Sequence, residues 1–95
     1  MLKTDPKDSF LYYALALEYE KEGKSEMAID TIEELMSDDP DYLGAYYKLG
    51  QLYEGKDNLK KARHIYQVGI KLADQQKDNK AKGELEEALW LIEEE

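Results

Sequence analysis

His64 is the only histidine among 95 residues, and the chain has no cysteine. An imidazole becomes a metal ligand or a general base only when other donors or a carboxylate converge on it. Its neighbours in sequence are Lys60, Lys61 and Arg63, whose charge repels a divalent cation. His64 therefore reads as a solvated residue on a helix surface. Without cysteine, a disulfide framework, a thiolate zinc site and a thiol nucleophile are all excluded. Glu18, Glu20 and Glu22 come nearest to a carboxylate pair. Residues two apart on a helix point different ways, so paired acid–base chemistry is not supported. Gly23 and Gly55 stand alone as turn residues and do not form a phosphate-cradling loop. The expectation is a protein that is not an enzyme and uses no cofactor, metal or small-molecule substrate.

Composition narrows the classes further. A net charge of −9 disfavours nucleic acid and anionic membrane surfaces, both of which need clustered Lys and Arg. Apolar residues make up 42% and charged residues 37%, with no apolar run long enough to span a bilayer. The opening Met1-Leu2-Lys3-Thr4-Asp5-Pro6 lacks the apolar stretch of a secretory signal, and the absence of cysteine fits a reducing compartment. The expected location is cytoplasmic. A chain of this length builds one small domain with a limited core.

The elements emerge from a repeat. Tyr12-Tyr13-Ala14-Leu15-Ala16-Leu17-Glu18-Tyr19 matches Tyr46-Tyr47-Lys48-Leu49-Gly50-Gln51-Leu52-Tyr53 at an offset of 34 residues. At the same offset Ala28 meets Ala62, Ile32 meets Tyr66, Leu35 meets Gly69 and Pro6 meets Pro40. Tyr12, Leu15, Ala16 and Tyr19 fall at i, i+3, i+4 and i+7, one stripe of a helix, and Ala28, Ile32 and Leu35 form a second. The small residues Ala16, Ala28, Gly50, Ala62 and Gly69 are expected where paired helices cross closely, with aromatics filling the gaps. Glu22-Gly23-Lys24 and Glu54-Gly55-Lys56-Asp57-Asn58 supply turns in which Gly ends a helix, and Ser25 and Asn58 are the expected caps of the helices that follow. Asp39-Pro40-Asp41 breaks the chain between repeats. The spacing predicts five helices, at 8–22, 25–37, 42–54, 58–74 and 78–94. In the last, Ala81, Leu85, Ala88, Leu89 and Ile92 make the apolar stripe, while Glu84, Glu86, Glu87 and Glu93 to Glu95 lie mostly elsewhere and give the helix a polar back.

This pattern resembles the tetratricopeptide repeat family, whose 34-residue motif carries an aromatic, Leu-Gly or Leu-Ala and Tyr on its first helix. Its second helix carries Ala, a bulky apolar residue and a small residue, and Pro closes the repeat. Repeat one spans 9–42 and repeat two 43–76, and 78–94 forms a capping helix, all in a single domain. Repeat two departs at Asp74, which stands in the Pro position, and repeat one has Leu35 where a small residue is usual. The resemblance implies an all-α fold of antiparallel helix hairpins stacked as a short right-handed superhelix. It also implies a concave groove, lined by the first helix of each repeat, that receives a peptide or helix of a partner protein.

Carried over from the family, the groove positions are Phe10, Tyr13, Leu17, Glu20 and Lys21 in repeat one, and Gly44, Tyr47, Lys48, Gln51 and Glu54 in repeat two. Tyr13 and Tyr47 are the strongest contact candidates, because tyrosine combines area with a hydrogen bond at low entropic cost. The Lys and Asn clamp of the chaperone-tail-binding members is missing, since Tyr13, Leu17 and Gly44 occupy its places and Lys48 stands alone. Two functions follow. One is an adaptor or scaffold whose groove binds a partner protein. The other is a structural homo-oligomeriser. Solenoids generally need about three repeats to cover their apolar faces. A symmetric homodimer is therefore expected, through the groove or through Trp90, Leu85 and Leu89 of the capping helix. Charge is uneven as well. Residues through Tyr42 carry a net −8, Leu43 to Gln76 a net +3, and the remainder a net −4. The asymmetry reads as differently solvated faces, or as a basic second repeat set against an acidic surface. Weak exposed ion pairs favour the former.

Overall fold

Three turns divide the chain by the same local device. Gly23 takes a left-handed φ of +78°, so its N–H reaches Glu20 O at 3.0 Å and the next N–H, of Lys24, reaches Tyr19 O at 2.9 Å. That pair of bonds satisfies carbonyls the helix end would leave open. The same pair recurs around Asp57 (φ +61°), bonding Glu54 O and Tyr53 O, and around Lys77 (φ +60°), bonding Asp74 O and Ala73 O. Gly23 and Asp57 stand 34 residues apart, so the left-handed residue of the second turn is Asp57 and not the expected Gly55, which still belongs to its helix. Aspartate is among the few side chains that tolerate this region.

Five helices result in the computed structural model, which describes residues 6–93: α1 (Pro6–Lys21), α2 (Ser25–Asp38), α3 (Leu43–Gly55), α4 (Leu59–Gln76) and α5 (Asn79–Glu93). They match the expected spans within two residues at each described boundary; the expected end of the last helix, at 94, lies outside the described residues. Asn58 caps α4 by accepting from Lys61 N–H at 3.2 Å, as expected. Ser25 does not cap α2. It is the first helical residue, and the N-cap position belongs to Lys24, whose side chain accepts nothing. Asp78 caps α5 by accepting from Ala81 N–H at 3.0 Å. Asp39, ahead of Pro40, leaves the helical region at φ −141° and ends α2.

Consecutive helices pack as antiparallel hairpins, and α3 also touches α5. The slab measures 38 × 32 × 17 Å, two helices thick. Its core joins Tyr12, Ala16, Ala28, Ile32, Leu35, Leu49, Ala62, Tyr66 and Leu85. The small residues fall where close approach needs them. A side chain on Gly50 would run into the Tyr66 ring, and a Cβ on Gly69 would sit 2.9 Å from Tyr46 Cβ and 3.2 Å from Leu85. Leu85 is therefore a core residue, 1% exposed, and is not available to a second copy of the chain as the sequence led us to expect. Ser9 Oγ donates to Asp39 Oδ2 at 2.8 Å and ties α1 to the end of α2. Tyr46 Oη donates to Pro40 O at 2.6 Å and fixes the start of repeat two.

Candidate functional site

Helices α1, α3 and α5 line one side of the slab, and a continuous groove runs along them. Its narrow end, about 330 Å³, lies between Tyr13, Leu43, Gly44, Tyr47, Lys80 and Glu84. Its wide end, about 690 Å³, is walled by Glu20, Gln51, Glu54, Glu87 and Leu91. Tyr47 and Glu84 belong to both ends and make the groove one surface.

Each aromatic is held from behind. Tyr13 packs on Tyr42 with ring centroids 5.8 Å apart, and Tyr47 tilts on Tyr66 at 6.3 Å. Tyr66 is fully buried beneath Gly50, and its hydroxyl donates to Glu54 Oε2 at 2.5 Å. Burial, and then the adjacent Glu54 carboxylate, push the Tyr66 phenol far above its ordinary range. Lys48 Nζ donates to Glu20 Oε1 at 2.8 Å, which joins α3 to α1 at the rim of the wide end.

Of the residues carried over as groove positions, Tyr13, Glu20, Gly44, Tyr47, Gln51 and Glu54 line the groove. Lys48 is spent on Glu20. Phe10 is 63% exposed on α1, Leu17 is half-buried, and Lys21 pairs with Glu18 at 3.7 Å; none of the three walls either end of the groove. On the capping helix Leu89 is half-buried against the core, whereas Trp90 is 58% exposed.

The third wall is what the sequence reading missed. Glu84 and Glu87 were assigned to a solvated back, yet both face the groove, together with Ala88 and Leu91. The cause is a change of register. With no proline at its end, α4 runs on to Gln76, so α5 starts at Asn79, 36 residues after Leu43 starts α3. At an offset of 36, buried Leu49 corresponds to buried Leu85, and groove residue Gln51 corresponds to Glu87. The missing proline at Asp74 was the signal.

Among the described residues, no group of three or more His, Cys, Asp or Glu side chains is placed to hold a metal ion. No described helix is long and apolar enough to cross a membrane. Stacked helix hairpins with a groove along their first helices define a helical-repeat interaction fold. The tetratricopeptide repeat model matches residues 11–42 and 43–76. The chain belongs to that family. It is similar to a tetratricopeptide repeat domain protein of Salinibacter ruber in solution, with 42% identity over 90% of this chain and 87% of the other, at a TM-score of 0.85. A crystal structure of a tetratricopeptide repeat domain protein from the same organism is similar at 40% identity over 90% of this chain and 94% of the other, with a TM-score of 0.83. No curated protein matches the chain. Tetratricopeptide repeats generally mediate protein–protein interaction and are typically non-catalytic.

Proposed function

We propose that this chain holds a peptide or helix of a partner protein in the groove between α1, α3 and α5, and so acts as an adaptor. The observation that carries this reading is the continuous groove with Tyr13 and Tyr47 along it. Both rings rest on other tyrosines, so a partner meets a surface already ordered, which lowers the entropic cost of binding. Complete absence of cysteine supports work in a reducing compartment such as the cytoplasm. The test is affinity capture with the wild type and with Tyr13→Ala/Tyr47→Ala, each checked for helicity. A partner held by both equally rules out the groove.

A second reading, self-association, draws on the two ends of the stack. Phe10, Leu11 and Leu15 are exposed on α1, and Trp90 and Leu91 are exposed on α5. Apolar residues of this size left open at terminal helices are where another copy would dock. Light scattering at low and high salt separates the readings. A dimer that survives high salt supports an apolar contact between copies. A monomer in both conditions leaves the groove to a different protein.

A further inference from the structure

The groove is strongly uneven in charge along its length. Four carboxylates, Glu20, Glu54, Glu84 and Glu87, wall the wide end around Tyr47, Ala88 and Leu91. They come from three helices, so only the fold brings them together. The one lysine beside them, Lys48, is engaged by Glu20. Glu54 accepts from Tyr66, while the side chains of Glu84 and Glu87 have no hydrogen bond or ion pair among the described residues. Glu54 and Gly55 end α3 here and Glu20 lies in the last turn of α1, so the C-terminal dipoles of two helices add to the negative potential. The narrow end carries Lys80 with Asp78 and the shared Glu84, and lies near the N-termini of α3 and α5.

We propose that the segment bound in this groove is basic: a stretch of a partner protein that places an aliphatic side chain on Tyr47 and Leu91 and Lys or Arg among Glu20, Glu54, Glu84 and Glu87. This rests on the groove being the binding surface. Leu91 is 52% exposed and supplies the apolar contact, while the surrounding carboxylates select the charge and steer the encounter. The basic end of the segment lies at the wide end, over the C-termini of α1 and α3. An acidic or phosphorylated segment meets like charge there and is rejected.

A display library of random peptides of about 12 residues, selected on the intact chain, tests this without assuming a sequence. Groove binders are those lost on Tyr13→Ala/Tyr47→Ala and weakened on Leu91→Ala, whose exposed side chain can be cut without opening the core. The expected groove binders carry net positive charge. They weaken about tenfold on Glu84→Gln/Glu87→Gln and again with added salt. They keep their affinity on Asp30→Asn/Glu34→Gln, which removes equal charge from exposed positions of α2. Groove binders that are neutral or acidic, or that weaken equally on the α2 variant, overturn the basic partner and leave the groove reading standing. A selection that yields no groove binder overturns both.

Discussion

The Tyr66 hydroxyl donates to Glu54 Oε2 at 2.5 Å, while its ring fills the space that a side chain on Gly50 would need. One residue of α4 thereby locks the α3–α4 hairpin and forms the floor of the groove. Tyr66→Phe removes the bond and keeps the ring, and should cost about 1–2 kcal/mol. Gly50→Ala forces the ring out of place and should cost about 1–3 kcal/mol. Denaturant midpoints measure both, and the pair should be non-additive because the two residues touch.

Alkaline pH should loosen the fold. Burial, followed by the Glu33 carboxylate that accepts from its hydroxyl at 2.9 Å, pushes the Tyr53 phenol up to about 12. Tyr66 is raised further, and Tyr42 and Tyr46 are raised mainly by burial. A phenol raised in the folded state ionises first in the unfolded chain, which then binds fewer protons. Its stabilisation is complete below about pH 10 and is lost as pH rises towards the folded value, at up to about 1.4 kcal/mol per unit for each phenol. Melting temperatures followed from neutral pH through about pH 12 should fall only above about pH 10, and Tyr66→Phe should reduce the slope.

Lys48 and Glu20 should be modestly coupled. The lysine side chain is 14% exposed and its partner 38%, so solvent screens much of the attraction. A double-mutant cycle of Lys48→Met and Glu20→Gln should return about 0.5–1 kcal/mol, less at high salt.

Two residues on different faces of α5 should behave oppositely. Leu85→Ala opens a cavity against Gly69 and should cost about 2–5 kcal/mol. Trp90→Ala removes a side chain that is 58% exposed and should change monomer stability by no more than about 0.5 kcal/mol. If copies associate through the open end of the stack, only the Trp90 change should lower the solution mass while leaving the melt intact.

Five helices, their order and the 34-residue period were legible in the chain because each rests on local chemistry. An apolar stripe needs only 3.6-residue spacing, and a turn needs only a residue that tolerates positive φ. Tyr12 and Ala16 of the first stripe and Ala28, Ile32 and Leu35 of the second are buried for that reason, whereas Leu15 of the first stripe is left 43% exposed. Tertiary structure alone decided how the stripes face one another. The two-residue extension of α4 shifts the register of α5, turns Leu85 onto Gly69 and brings Glu84 and Glu87 to the groove. A shift of two residues rotates a helix by more than half a turn relative to its neighbours. The apolar stripe tells which face of α5 packs, and Leu85 and Ile92 are buried accordingly, but which elements its other faces meet depends on packing against α3 and α4.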